Sequence, residues 1–296
     1  MEKLSMLNRI KEIYDKNENM IAYLKKIYNN KENSLEDILI SYDFQAGAYT
    51  KGYKNNPANK DLYCSYLAEI INDIGEYTSI LEVGVGEATT FAVMLSKLNR
   101  LPEKSYGFDI SWSRIKYARK FIDELGIKDT ELFTGDLFNM PLKDNSIDIV
   151  YTSHSVEPNG GREEEALQEL YRVANKYLIL LEPAYELAND EARTRMKEHG
   201  YVTNLFQTAQ NLGYDIIEHK LFGISTNPLN PTGVMIIKKA GTHDVINPIC
   251  CPVTKTDFII KNNTYYSPES LLAYPVIEEV PCLLAQNAVV ATKFMD

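Results

Sequence analysis

Ser79-Ile-Leu-Glu-Val-Gly-Val-Gly-Glu-Ala-Thr-Thr90 is the stretch on which the reading of this chain turns. Ile80 to Val83 is a short apolar run of the kind that makes a buried strand. Gly84 and Gly86 interrupt it, and from Ala88 to Leu98 apolar residues return at helical spacing. A strand, a glycine turn and a helix start let a ligand approach the backbone. A Cβ at either glycine would fill that space, and the free N–H groups of the helix start favour electron-rich atoms. Two acids frame the turn: Glu82 just before it, and Asp109 at the end of the next apolar strand, Tyr106-Gly-Phe-Asp109.

Two ligands compete for such a frame. A nicotinamide-binding unit asks for Gly-x-Gly-x-x-Gly and one acid about 20 residues on for the ribose. Here Thr89 takes the third glycine position, and an extra carboxylate precedes the first glycine. A carboxylate at Glu82 suits a positive amino group, and one at Asp109 suits a ribose diol whose two hydroxyls it accepts together. An amino acid joined to a nucleoside satisfies both, which points to S-adenosylmethionine. The stretch resembles motif I of the class I S-adenosylmethionine-dependent methyltransferases, Glu/Asp-x-Gly-x-Gly. The resemblance spans about residues 42 to 239 and is strongest over 79–152. It implies an α/β, Rossmann-like fold with a seven-stranded, mostly parallel sheet, helices on both faces, and S-adenosyl-L-methionine as cofactor. Ile110, beside Asp109, joins the implied cofactor contacts.

The later strands extend the pattern. Ser111 is a good N-cap for a helix that Gly126 stops, and Glu131-Leu-Phe-Thr-Gly-Asp136 reads as a third strand ending in an acid. In the family an acid here, with the next backbone N–H (Leu137), reads the adenine edge, which offers one donor and one acceptor side by side. The fourth strand, Ile147 to Thr152, leads into Ser153-His-Ser-Val-Glu-Pro-Asn-Gly-Gly161. Ligands of open α/β sheets sit beyond the carboxyl ends of the strands, so this loop should face the transferred methyl, with Ser153 among the cofactor contacts. The Asn/Asp-Pro-Pro-Tyr sequence that the family uses for exocyclic amines is absent. His154 and Glu157 stand there instead, and an imidazole titrating near working pH can take a proton from a hydroxyl. The fifth strand, Lys176 to Glu182, ends in Glu182-Pro183, which the family often places on the substrate side. One long helix, Asp190 to Asn211, carries Arg193 and Arg195, read as a solvated face. Tyr214–Leu221 and Val234–Lys238 complete seven strands.

Two appendages flank this unit, giving domains at 1–60, 61–240 and 241–296. The first is a helical cap and aromatic lid. Leu4, Leu7, Ile10 and Tyr14, then Ile21, Leu24, Ile27 and Tyr28, form two amphipathic stripes, with breaks at Asn17-Glu-Asn19 and Asn29-Asn30. Ser41 to Tyr53 sets aromatics among flexible glycines and resembles the family's segment that folds over the cofactor, with Ala46 to Tyr49 as its Ala-x-x-Tyr element. Tyr49 is therefore a cofactor contact, with Tyr42, Gln45 and Tyr53 as further candidates. The last block, a small α+β unit, opens Cys251-Pro-Val-Thr-Lys-Thr and closes Leu272-Ala-Tyr-Pro-Val-Ile-Glu-Glu-Val-Pro-Cys-Leu-Leu284. It resembles the small zinc-ribbon-like activator domain of RNA and protein methyltransferases, whose free form stabilises its enzyme by strand addition. Thr254 stands where a second cysteine would fall, and Ser267 is near a later ligand position. One thiolate cannot make a structural zinc site, so no metal is expected.

Composition narrows the partners. A net charge of −10 and a pI near 5.1 argue against a surface that tracks the phosphates of nucleic acid. No apolar run approaches the ~20 residues that span a bilayer, and Met1 to Tyr14 has the charges of neither a signal peptide nor an anchor. Four scattered cysteines are no disulfide framework and point to the cytoplasm. The expectation is an enzyme that O-methylates a small polar metabolite, a sugar or natural-product hydroxyl, with a surface for a homodimer. Its rivals are an RNA or protein methyltransferase, and a non-catalytic cofactor-binding subunit that stabilises an active relative.

Overall fold

The apolar runs become seven strands: β1 (Ser79–Val83), β2 (Lys104–Asp109), β3 (Thr130–Thr134), β4 (Ile147–Ser153), β5 (Ala174–Pro183), β6 (Asp215–Leu221) and β7 (Thr232–Lys238). They form one sheet in the order β3-β2-β1-β4-β5-β7-β6, in which β7 alone runs against the rest. The computed structural model describes residues 3–28, 34–224, 227–241 and 245–296. Strands β1 and β4 are buried along almost their whole length, which is why their sequences read as runs and not as alternation. Strand order reverses between β1 and β4, so the ligand crevice of such sheets opens there, beyond their carboxyl ends.

Ten helices wrap the described chain: α1 (Leu7–Asp15), α2 (Met20–Tyr28), α3 (Leu35–Phe44), α4 (Ala48–Asn55), α5 (Ala58–Asp73), α6 (Thr89–Leu95), α7 (Trp112–Glu124), α8 (Glu163–Val173), α9 (Asp190–His199) and α10 (Leu205–Asn211). On one face of the sheet, Leu67 of α5, Phe91 of α6 and Phe121 of α7 join Ile149 and Tyr151 in a single core. On the other, Leu167 and Leu170 of α8 and Ala209 of α10 pack with Phe133 and Val150. Ser111 caps α7 by accepting the N–H of Arg114, as its residue type predicts. Helices α1 to α3 bury a small cluster of Ile10, Met20, Leu24 and Ile40, while Leu4, Leu7 and Ile27 of the expected stripes stay on the surface. The chain breaks at Asn17–Asn19; the second break, Asn29-Asn30, lies outside the described residues.

The glycine-bearing segment 41–53 is the end of α3, a turn at Gly47, and α4. The helix expected over Asp190–Asn211 is two helices. Gly200, at φ +69°, ends α9 in the left-handed conformation that glycine supplies without strain. The residues that follow turn back on the β4 loop, where Val202 N–H donates to the Glu157 carbonyl at 3.0 Å and Gly160 N–H to that of Gly200 at 3.1 Å. A Cβ at Gly160 would lie 2.5 Å from the Tyr201 carbonyl oxygen, so this crossing requires glycine.

The C-terminal residues form a small antiparallel sheet of β8 (Ile259–Lys261), β9 (Thr264–Ser267), β10 (Leu272–Ile277), β11 (Val280–Pro281) and β12 (Val289–Val290). It packs against the edge strand β3. Cys282 bridges Thr134 in parallel, and Leu283 N–H donates to the Thr134 carbonyl. Cys251, Tyr274 and Leu283 share a hydrophobic core with Phe133 and Met140. All four cysteines are buried free thiols.

Candidate active site

One cavity of about 720 Å³ lies over the switch point, and all eleven residues that the sequence assigns to cofactor contact or catalysis line it. Tyr49 comes from α4; Glu82, Gly84 and Gly86 from the end of β1; Asp109 and Ile110 from β2; Asp136 and Leu137 from the turn after β3. Ser153, His154 and Glu157 come from the end of β4 and its loop. Tyr42 and Tyr53 line it too, whereas Gln45 ends α3 and stays outside the lining.

The glycine turn holds both acids. Pairing of β1 with β4 sets Glu82 opposite Tyr151, whose hydroxyl donates to the Glu82 carboxylate at 2.6 Å. Burial pushes this carboxyl up to about 8, against the pull of that hydrogen bond and of Lys60. Asp109 accepts the Gly86 N–H at 3.0 Å and the Ser111 N–H at 2.9 Å. Its pKa is raised by burial, opposed by Arg114 and these N–H groups. Gly84 and Gly86 have φ of +72° and +55°. A Cβ at Gly84 would lie 2.3 Å from Cβ of Ser155, so that glycine makes room first for the β4 loop. Asp136 lies two residues beyond β3, where it accepts the Phe138 N–H at 2.9 Å.

The β4 loop is built on Glu182. This residue was expected on the substrate side; it is instead buried beneath the loop, accepting the N–H groups of Ser155, Val156 and Glu157 at 3.1, 3.2 and 2.9 Å. Burial raises its carboxyl to about 7. The three bonds hold His154 at φ +58°, and its ring lies between two partners. Nδ1 meets Glu157 Oε2 at 2.5 Å and Nε2 meets Thr232 Oγ1 at 2.8 Å. A carboxylate only accepts, so Nδ1 carries the proton. Burial works against the imidazolium, but Glu157 outweighs it and raises the His154 pKa; for Glu157, burial is outweighed in turn and the carboxyl is lowered. Arg193 and Arg195 do not reach the cavity lining; Arg193 donates to the carbonyls of Tyr185 and Glu186.

Three further side chains shape the cavity without any motif in the sequence to mark them. Glu87 is 2% exposed, and its carboxylate accepts the N–H groups of Gly47, Tyr49 and Thr50 and the Thr50 hydroxyl, tying the start of α4 to the glycine turn. Arg114 lies between the rings of Tyr42 and Tyr49, 4.8 and 4.7 Å from their centroids and 3.8 Å from Asp109. Lys60 faces the cavity and donates to Thr90. Only Glu87 left a trace in the sequence, as an acid inside the glycine stretch whose helix needs no second charge.

The cradle fits an aminoacyl nucleoside. Two left-handed glycines open the backbone, two buried carboxylates flank them, and the Ser155 hydroxyl beside Gly84 is buried with no hydrogen-bond partner among the described residues. Residues 80–176 match the family model described as a methyltransferase domain. Fold and site define the class: the chain carries an S-adenosylmethionine-dependent methyltransferase domain over residues 80–176. Among solved structures it is similar to a chain of the complex between the Haloferax volcanii Trm112 methyltransferase activator and a candidate methyltransferase. That match has 14% identity over 69% of this chain and 98% of that one, with a TM-score of 0.53. It is similar also to an S-adenosylmethionine-dependent methyltransferase from Aquifex aeolicus, at 20% identity over 57% and 87% of the two chains, TM-score 0.45. A third is magnesium protoporphyrin IX methyltransferase from Synechocystis PCC 6803, at 14% identity over 73% and 92%, TM-score 0.47. At these identities the likeness speaks to fold alone. No curated protein matches the chain. Among the described residues no helix is long and apolar enough to cross a membrane.

Proposed function

We propose that this chain methylates a hydroxyl of a small polar metabolite. The observation that carries the reading is the lid: α4 is fastened by Glu87 onto the glycine turn, and Tyr42, Tyr49 and Tyr53 border a cavity of about 720 Å³. Cavities in this range hold ligands of drug size. With a nucleoside cofactor in the same space, little is left for a large acceptor. When bound, the cofactor supplies an electrophilic methyl group on a sulfonium. Glu82 holds the ammonium of its methionine part, Asp109 the ribose hydroxyls, and Asp136 with the Leu137 N–H the adenine edge. Tyr49, Ile110 and Ser153 close around it. His154, oriented by Glu157, takes the proton of the acceptor hydroxyl at Nε2 once that hydroxyl replaces Thr232 there, and Glu157 stabilises the imidazolium. Most of the rate comes from positioning.

A second reading, an RNA or protein acceptor, is favoured by the C-terminal unit lying on the edge strand β3, as strand addition by an activator would have it. Incubation of the full chain with methyl-labelled cofactor and separate pools of small metabolites, RNA and protein divides the readings. Label in the metabolite pool supports the first, and label in RNA or protein the second. Cofactor binding without transfer to any pool leaves a cofactor-binding subunit. Within the first reading, His154→Gln is expected to lower kcat by about 100-fold or more with cofactor affinity kept. An unchanged kcat removes the base.

A further inference from the structure

The C-terminal unit contains the same turn twice. Cys251-Pro-Val-Thr254-Lys255 and Ser267-Pro-Glu-Ser270-Leu271 each place proline second and a thiol or hydroxyl first and fourth. In each, the fifth N–H donates to the first carbonyl, at 2.8 Å from Lys255 to Cys251 and 2.9 Å from Leu271 to Ser267. Each fifth residue is left-handed, with φ of +57° and +56°. The two turns face each other. Cys251 Sγ lies 3.5 Å from Ser270 Oγ, and Thr254 Oγ1 lies 3.5 Å from Ser267 Oγ. The Tyr274 hydroxyl is 3.6 Å from the Cys251 sulfur.

Paired turns with donors at x2 spacing, facing in pairs, are the frame of a four-cysteine zinc centre. The donors here do not fit zinc: structural sites need thiolates or imidazoles at all four corners, and three corners are neutral hydroxyls. Among the described residues no group of three or more His, Cys, Asp or Glu side chains could hold a metal. We propose that this is a metal-free knuckle pair, in which the hydrogen bonds among Cys251, Thr254, Ser267 and Ser270 replace a tetrahedral ion, and which three hydroxyl-to-thiol changes convert into a zinc site. The backbone already has the turn geometry, so the change is in donor chemistry alone. It is independent of the reaction the chain performs.

The test uses the full chain and its Thr254→Cys/Ser267→Cys/Ser270→Cys variant, each purified and refolded with and without zinc. The native chain is expected to carry no zinc and to keep its Tm in a chelator. The variant should take up zinc stoichiometrically, lose thermal stability on chelation, and with cobalt show thiolate-to-metal charge transfer and tetrahedral d–d bands. Stoichiometric zinc in the native chain, with a Tm that falls on its removal, overturns the proposal. So does a variant that takes no metal with zinc supplied, whether it folds or not.

Discussion

Glu82 sits in a place that disfavours charge. Its carboxyl is held up to about 8 by burial, well above the ~4.3 of an unfolded chain. A raised carboxyl contributes stability that is fully present below its unfolded value and is lost as pH rises through the folded one. The unliganded protein therefore weakens between about pH 4 and pH 8 on account of this group. An ammonium bound beside it reverses the balance: the carboxylate becomes favoured and binding expels a proton. Calorimetry in buffers of different ionisation enthalpy should show proton release on adenosylmethionine binding at pH 6.5, with affinity rising towards about pH 8 and falling above it as the ligand's own ammonium deprotonates. Glu82→Gln should flatten that profile and cost about 10- to 100-fold in affinity at pH 8, the range of a charge-assisted hydrogen bond. A wild-type affinity indifferent to pH would remove the ammonium from Glu82. Ala88 offers a simpler prediction. It starts α6 at φ +58°, where an L-residue pays roughly 1–2 kcal/mol over glycine. Ala88→Gly should raise stability by about 1 kcal/mol in denaturant titration, and any loss would show that the methyl group packs for more than the backbone strains.

At the scale of elements, what could be read and what could not divide along local and long-range physics. The β1 stretch was legible because burial on both faces and a glycine turn are written in adjacent residues. So were Asp109 and Asp136, since each ends an apolar run. The break between α9 and α10 is not legible although Gly200 marks it: helical spacing continues to either side, and the reason to stop is the crossing over Gly160, forty residues earlier in the chain. A Glu-Pro pair says nothing of the three N–H groups that hold Glu182 beneath the β4 loop and away from the substrate side. Likewise, no local pattern tells that the first C-terminal turn props the loop after β3. Lys255 donates to Asn139 Oδ1 and to the Met140 carbonyl, both at 2.8 Å, and Cys250 N–H to the Pro141 carbonyl at 2.9 Å. That loop begins with Asp136 and Leu137. Lys255→Met keeps the stem and removes both bonds, each typically worth about 1 kcal/mol. It should weaken adenosylmethionine binding by roughly fivefold; a fall in Tm with affinity intact would limit Lys255 to stability.

On the scale of the whole molecule, the question is whether the C-terminal unit can come and go independently of the sheet it sits on. Its own sheet is small, with short strands and several exposed apolar side chains such as Ile260 and Val290. Yet its largest buried residue, Tyr274, shares a core with Leu81 and Phe133 of the main sheet, and Leu283 and Cys251 lie in the same cluster. A unit that borrows its core cannot keep that apolar area out of water once it detaches, and a piece of fifty-odd residues has little else to offset its chain entropy. Calorimetric unfolding of the full chain should therefore give one cooperative peak, with a calorimetric-to-van't Hoff enthalpy ratio of about 1. Chains ending before Val245 should melt lower or fail to fold, because Thr134 at the edge of β3 and Pro141 and Leu142 in the loop after it would lose the partners they have in Leu283, Cys250 and Ile249. A separate low-temperature peak, abolished by that truncation with the main peak unmoved, would mean that the shared cluster contributes no coupling and that the two sheets fold as strangers.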